Sequence, residues 1–357
     1  MRRGYLKSRF PGKNPNYQEK IHLSMDQERY IRQISLKYIG KKGQERISSA
    51  SAVIIGCGGL GSNSADLLVR AGIGKVVLVD RDIVEKSDLH RQRYTVDDLG
   101  MPKPEALANH LERINPDVRI EPVCADFNPA NALDIARSGS ILLDGTDNMY
   151  TRFIINDSSF NLGIPWVYGG AVGVEGMCSL FLPPGACFRC LFPVPPPEGS
   201  LDTCVRSGVL SSLVTLISSL EVTLAIQWIL GKGIEGELIS FNIWNRELHR
   251  VQFTRRKGCT CCSKKRYEFL EKKGKRHTIL CGGKAIQILP ERKIEIDLRS
   301  LGETLKKEGK VSSTGHACRV ELRDGVSLTI FRDGRAIITG TTRVSKAKSL
   351  YSIYVGD

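Results

Sequence analysis

The sequence predicts an α/β fold: a Rossmann-like, doubly wound, mostly parallel sheet with an antiparallel extension, plus a small C-terminal α+β domain. Three observations carry this expectation. Apolar β-branched runs alternate with helical stretches from residue 51 to residue 148, and such alternation builds parallel sheets with helices on both faces. A glycine cluster, GCGGLG at 56–61, joins the first of those strands to the first helix. Beyond residue 279, short strands alternate around the turn signals Asp324-Gly325 and Asp333-Gly334, as antiparallel hairpins require.

In chain order, Ala52–Ile55 reads as a strand entering the glycines, Ser62–Ala71 as a helix and Lys75–Val79 as a second strand ending at Asp80. This is a βαβ unit with short connections. A helix near Lys103–Ile114, a strand near Arg119–Val123, a helix near Pro129–Ala136 and a strand over ILLDGTDN at 141–148 continue the alternation. After Pro165 the texture changes, and WVYGGAVGVEGMCSLFLP reads as two strands around Gly173–Gly176. Three consecutive prolines forbid helix and central strand, so 193–204 is expected to be an exposed crossover loop. The apolar stretch Val209–Leu230 has the length of a membrane span, but Glu221, Gln227 and several serines interrupt it; it reads as a buried core or dimer-interface helix. The basic stretch 264–278 reads as a linker, 286–311 as a strand pair with one amphipathic helix, 318–341 as antiparallel strands, and Ser345–Tyr354 as a last helix.

Composition excludes several classes. The chain of 357 residues is 41% hydrophobic with no Gly-X-Y period or low-complexity tract, so neither disorder nor a fibre fits. Its basic N-terminus is followed by no apolar stretch, which reads as neither a signal peptide nor a membrane anchor and makes cytoplasmic residence the expectation. The net charge of +14 is uneven: residues 1–50 carry +8, 51–254 carry −7 and 255–357 carry +13. A mildly acidic centre thus lies between basic flanks that suit an acidic protein partner. No aromatic-rich basic motif of RNA or DNA binders is present, which argues against nucleic acid.

Gly56, Gly58, Gly59 and Gly61 stand between a strand and a helix. Glycines let backbone approach a phosphate or ribose closely, and the helix N-terminus offers free N–H groups. Asp80 follows 19 residues after Gly61, where a carboxylate would accept from ribose hydroxyls. That much says nucleotide, and a nicotinamide-dependent dehydrogenase fits it equally. The cations Arg91, in SDLHRQRY, and Lys103, with Asp147 in DGTDN at a strand's carboxyl end, tip the reading to nucleotidyl transfer. Charge on the α-phosphate and the leaving pyrophosphate must be offset there by Arg, Lys and Mg²⁺.

Eleven cysteines in a chain read as cytosolic should be mostly thiols. Cys187-Phe-Arg-Cys190 and Cys259-Thr-Cys-Cys262, with 68 residues between them, have the spacing of a closed tetrahedral zinc site; Cys261 competes with Cys262 for the fourth place, and redox use of the pairs is the alternative. Cys204 follows the proline-rich loop and precedes a helix with Arg206 nearby, an environment that stabilises a thiolate and makes it a candidate nucleophile.

Together, RYIRQI at 29–34, GCGGLG at 56–61, LVDRD at 78–82, SDLHRQ at 87–92, the MPK ending at Lys103, DGTDN at 144–148, CFRC, DTC at 202–204 and CTCC resemble the ThiF/MoeB/HesA family, prokaryotic relatives of ubiquitin-activating enzymes. The match covers about 25–265, leaving a basic arm at 1–24, a basic linker at 266–278 and a small domain at 279–357. The resemblance implies ATP-dependent adenylation of the C-terminal glycine of a ubiquitin-like sulfur carrier protein ending in Gly-Gly, of the type used in thiamine or molybdopterin synthesis. It implies a sulfur donor such as a cysteine desulfurase, and a homodimer in which Arg32 reaches across to the partner's site. By the same resemblance Gly59 and Asp80 would hold adenosine, Asp82 would lie close to the ribose and phosphates, and Ser87 and Asp88 would line the pocket. Arg91 and Lys103 would bind phosphates, Asp147 would hold Mg²⁺, and Asn148 would complete the pocket. Cys187, Cys190, Cys259 and Cys262 match zinc ligands, and Cys204 matches a cysteine that in some members forms a covalent carrier adduct. Asp88 departs from the common asparagine, and a carboxylate there would repel phosphate unless it faces the metal. Two other readings stay open: ATP-dependent dehydration of a modified tRNA base by a related subfamily, and a catalytically inactive partner subunit. The C-terminal domain shows no rhodanese active-site loop around Cys281 or Cys318 and receives no role.

Overall fold

The computed structural model describes residues 28–195, 207–271, 277–279, 285–290, 294–313, 317–322 and 324–356. Five strands lie parallel in the order β3-β2-β1-β4-β5: β1 Ser51–Ile55, β2 Lys75–Asp80, β3 Arg119–Cys124, β4 Ile141–Asp144 and β5 Trp166–Val172. The antiparallel strands β6 Glu175–Phe181, β7 Glu237–Asn242 and β8 Glu247–Gln252 extend the sheet beyond β5. The central strands are buried on both faces, which explains their continuous apolar runs. One core cluster packs beneath the helices Gly59–Arg70, Lys103–Ile114 and Ser211–Ile229, the other beneath Met149–Leu162. Because β1 lies between β2 and β4, the sheet reverses direction of growth beside β1, and the crevice at its carboxyl end is where such sheets bind ligands.

In the part of the chain built around the first sheet, local patterning and structure differ in four places. The run expected as a strand over 141–148 extends only to Asp144, whose Oδ1 accepts from the Thr146 N–H and hydroxyl at 2.8 and 2.6 Å and turns the chain. Helix Met149–Leu162 follows, capped by Asn148, whose side chain accepts from Thr151 N. Phe153 through Phe160 are all buried, so the helix has no polar stripe for a periodicity to reveal. The β7–β8 hairpin likewise escapes the pattern, since all six β8 residues are exposed and no in–out alternation exists. The basic stretch read as a linker contains helix Glu268–Glu271, and its Phe269 is buried in the main core beside Phe153, ring centroids 4.7 Å apart.

Helix Ser211–Ile229 is the one described helix long and apolar enough to cross a membrane. Its inner face packs on helix Gly59–Arg70 and on β5 and β6. Glu221 on that face accepts from the Ser64 hydroxyl at 2.9 Å, and burial pushes its carboxyl well above the ordinary range.

The C-terminal part is a second sheet in the order β11-β12-β13-β14-β10-β9, antiparallel throughout: β9 His277–Ile279, β10 Ala285–Ile288, β11 Gly309–Ser313, β12 Ala317–Leu322, β13 Ser327–Phe331 and β14 Ala336–Thr339. Gly325 and Gly334 take positive φ at the two hairpin turns, as the Asp-Gly pairs predict. Helices Leu298–Leu305 and Val344–Tyr354 cover one face. The strand pair expected within 286–311 does not form: β10 pairs with β9 and β14, while Ile296 reaches the sheet through one bond to Arg332 O.

Candidate active site and metal centre

The glycines at the end of β1 are required by close packing. A Cβ on Gly61 would lie 1.8 Å from the Gly56 carbonyl oxygen, and one on Gly145 would lie 2.1 Å from the same atom. The loops after β1 and β4 therefore interlock, and only glycine fits at the contact. Gly58 precedes helix Gly59–Arg70 as its N-cap, so the free N–H groups of the first turn open at the crevice. Gly59 lies against the Arg91 side chain, 3.9 Å from the position of a Cβ.

Acidic side chains at the end of β2 fasten this loop. Asp80 accepts from Cys57 N at 2.6 Å and from Asp82 N at 2.8 Å, one bond to each carboxylate oxygen. Each oxygen keeps a further lone pair, enough for a ribose hydroxyl. Asp82 is different: its Oδ1 is buried without a hydrogen-bond partner. Burial, reinforced by the Asp80 charge, pushes the Asp82 carboxyl above the usual range.

Lys103 begins helix Lys103–Ile114 with its side chain buried. Burial alone would lower the pKa of its ammonium, but Asp82, Asp80 and Asp88 outweigh that and hold it above the ordinary lysine value. Asp88 gathers the cations. Its Oδ2 lies 3.3 Å from Lys103 Nζ and accepts from Glu85 N at 3.0 Å, while Oδ1 accepts from Gln92 at 2.6 Å and from Arg91 at 3.3 Å. Two cations and two neutral donors therefore surround the residue whose carboxylate is puzzling from sequence alone, so its negative charge faces lysine and arginine. Arg91 also donates to the Ser87 carbonyl. Tyr94, which residue-type reasoning assigns no role, donates to Cys57 O at 2.7 Å and Lys103 O at 3.3 Å, tying the glycine loop to the lysine.

The loop after β4 rests on an arginine that sequence reasoning also misses. Arg152 Nε donates to Asp144 at 2.8 Å, and its Nη2 donates to Thr146 O at 2.8 Å and Gly169 O at 3.0 Å. Both side chains are buried, and removing one member of such a pair costs about 3–5 kcal/mol. This arginine holds the loop that presents Asp147, whose charge reaches Asp82, Arg81 and Arg152. Asn148 spends its side-chain oxygen on capping the helix. Arg32 is exposed in the short helix Ile31–Ile34. Cys204 lies outside the described residues.

Cys187, Cys190, Cys259 and Cys262 bring their sulfurs within 4.8 Å of one another. Individual separations of 3.9, 3.5 and 3.5 Å compare with the roughly 3.8 Å edge of a tetrahedron having 2.3 Å metal–sulfur bonds. The donor set fits zinc. Cys261 points instead to Asn156, whose side-chain nitrogen donates to it at 3.2 Å. Asn156 also accepts from Phe188 N at 2.9 Å, and its neighbour Asp157 accepts from Phe269 N at 3.1 Å, so buried polar groups on helix Met149–Leu162 orient the loops around the thiolates.

Comparison with known proteins matches the chain to one family. A model of the ThiF family matches residues 30–261. The chain is 37% identical over 338 residues to the sulfur carrier protein ThiS adenylyltransferase of Bacillus subtilis (strain 168), covering 92% of this chain and 99% of that protein. It is 37% identical over 244 residues to the sulfur carrier protein adenylyltransferase of Thermus thermophilus, covering 66% of this chain and 90% of that one. Among solved structures, the crystal structure of E. coli MccB with ATP superposes with a TM-score of 0.57 at 20% identity, over 66% of this chain and 74% of that one; at that identity the likeness shows the fold alone.

Proposed function

The chain belongs to the ThiF family, and from that premise we propose that it is an adenylyltransferase: it uses ATP to adenylate the C-terminal glycine carboxylate of a ubiquitin-like sulfur carrier protein, releasing pyrophosphate. The observation that carries the reading is the convergence of Arg91 and Lys103 on Asp88 beside the glycine loop. Two pre-positioned cations at a strand-end crevice are what offsetting charge on a triphosphate requires, and a hydride-transfer site has no use for them.

In this reading the helix N-terminus at Gly58–Gly61 takes phosphate oxygens, Asp80 takes the ribose, and Ser87 lines the pocket. Asp88 holds Arg91 and Lys103 until the phosphates compete for them. A carboxylate is a weak nucleophile, so catalysis rests on orienting it against the α-phosphate for in-line attack, and positioning can supply about 7–11 kcal/mol of the barrier. Among the described residues, the buried Oδ1 of Asp82 accepts no hydrogen bond and has only the Arg81 guanidinium, 3.9 Å away, as an ion-pair partner. With Asp147 nearby it fits a hard divalent cation, and Mg²⁺ bound there would supply charge that helps pyrophosphate leave. The four cysteines would hold zinc as a structural staple. Cys204, as a thiolate, would attack the glycyl carbonyl of the acyl-adenylate, forming a thioester and breaking the acyl–phosphate bond with AMP as the leaving group, before sulfur transfer from a donor such as a cysteine desulfurase. The basic flanks suit an acidic carrier, and the reading places the protein in the cytoplasm.

Exchange of labelled pyrophosphate into ATP tests this directly. Exchange is expected only in the presence of a carrier ending in Gly-Gly. Exchange that depends on tRNA instead, or none with any carrier, would overturn the reading. A second test concerns assembly. We propose a homodimer with Arg32 completing the partner's site, so mixing Arg32→Ala with Asp147→Ala protein should restore about a quarter of wild-type exchange, because random pairing makes half the molecules heterodimers with one intact site each. Activity no greater than that of the separate variants would count against it.

A further inference from the structure

The C-terminal domain touches the first domain where the nucleotide is expected to bind. Arg335, the residue after the Asp333-Gly334 turn, is 1% exposed and is among the largest fully buried side chains. Its guanidinium leaves its own domain: Nη1 donates to the carbonyl of Arg81 and Nη2 to the carbonyl of Cys124 at 3.2 Å. Arg81 follows directly on β2 and Cys124 ends β3. Those carbonyls therefore belong to the two loops at the outer rim of the crevice.

Three further contacts make this a built joint. The guanidinium carbon lies 3.8 Å from the centroid of the Phe331 ring, which fixes its plane. Ile83, on the same loop as Asp82, is buried in one cluster with Ala317, Phe331 and Ile337 of the C-terminal sheet. Within the first domain the same two loops are tied by Arg81 to Asp126 at 2.9 Å. Arg335 thus adds a second tie, supplied from more than 200 residues away along the chain. Its planar fork serves the two carbonyls from two separate nitrogens, whereas a lysine would have to reach both from a single nitrogen. The segment it fixes, Asp80–Ile83, carries the carboxylate that fastens the glycine loop and the one whose buried oxygen accepts no hydrogen bond.

We propose that the C-terminal domain is part of the ATP site, and that Arg335 is a positioning residue that holds the Asp80–Ile83 loop against the end of β3 in the nucleotide-binding arrangement. The proposal rests on the ATP-dependent reading above and gives a role to a domain that carries no catalytic motif. Without the tie, the loop must be ordered at the expense of binding free energy, so the loss falls on ATP and not on the carrier.

The test uses full-length wild type, Arg335→Met, Arg335→Lys and Phe331→Leu, with ATP affinity measured by calorimetry and exchange kinetics with a Gly-Gly carrier measured in parallel. Arg335→Met is expected to weaken ATP binding about tenfold and to raise KM for ATP to match. KM for the carrier and kcat at saturating ATP should stay within twofold. Arg335→Lys and Phe331→Leu should lose about threefold, and these two carry the test if the methionine variant does not fold. ATP affinity within twofold of wild type in every folded variant would overturn the proposal, as would KM values for ATP and carrier rising together. No ATP binding by the wild type would overturn the adenylation reading itself, and with it this proposal.

Discussion

Replacing Lys103 with methionine should lower kcat/KM for ATP at least about a hundredfold, the scale expected when one preorganised donor to developing negative charge is lost. It should also lower the melting temperature. The second effect follows from burial: the ammonium sits among Asp80, Asp82 and Asp88, and deleting it removes the one buried cation whose charge all three carboxylates share. Removing one partner of a buried charge cluster costs about 3–5 kcal/mol. The two effects separate experimentally. Exchange measured at 20 °C, with the folded fraction determined on the same sample by circular dichroism, reports the catalytic loss alone. Lys103→Arg should recover most of the stability and only part of the rate, since the guanidinium restores charge but not the compact point donor. A methionine variant that stays folded and exchanges within threefold of wild type would remove Lys103 from the phosphate site.

Loss of the four-cysteine centre should be the most destabilising change in the molecule. The wild type is expected to carry one zinc per chain, and Cys259→Ser none. Free energies of zinc-dependent folding in zinc-finger peptides reach about 10–16 kcal/mol. Roughly half the lower figure is a fair expectation where the aromatic cluster around Phe153, Phe188 and Phe269 packs independently. About 5 kcal/mol corresponds to a fall in Tm of roughly 10–20 °C. The staple joins the Cys187–Cys190 turn to the 259–262 loop, so chelation should expose both to proteolysis before the central sheet opens. Cys261→Ser should keep its zinc, because that sulfur faces Asn156. Metal retained in Cys259→Ser, or lost in Cys261→Ser with Cys259 intact, would contradict the assignment.

Much of the first domain is legible from local pattern. The strand–glycine–helix entry at 51–70, helix Lys103–Ile114, the Glu175–Phe181 strand and the Asp-Gly hairpins all lie where alternation or turn chemistry puts them. Two of the failures share one physical cause. The middle of helix Met149–Leu162, Phe153 to Phe160, is buried on every side and β8 is exposed on every side, and an element without two contrasting faces emits no periodic signal. The basic linker hid Phe269 because its composition reports solvent-facing lysines and arginines, not the single ring packed inward.

At the site, residue types and spacing alone put forward the glycine loop, Arg91, Lys103, Asp147 and the two cysteine pairs as candidates. Local chemistry suffices to nominate them, since phosphate needs backbone N–H groups and cations, and a closed zinc shell needs four thiolates. The tertiary structure decided how those groups are held. It turned Asp88 from a misplaced charge into the counter-ion of Arg91 and Lys103. It grouped the Cys262 sulfur with those of Cys187, Cys190 and Cys259 and set Cys261 against Asn156, supplied Arg152 beneath the DGTDN loop, and brought Arg335 onto the carbonyls of Arg81 and Cys124. Each of these depends on which groups burial brings within hydrogen-bond reach. A sequence records a side chain's capacity to donate or accept, whereas the partner it meets is set by packing between segments far apart along the chain.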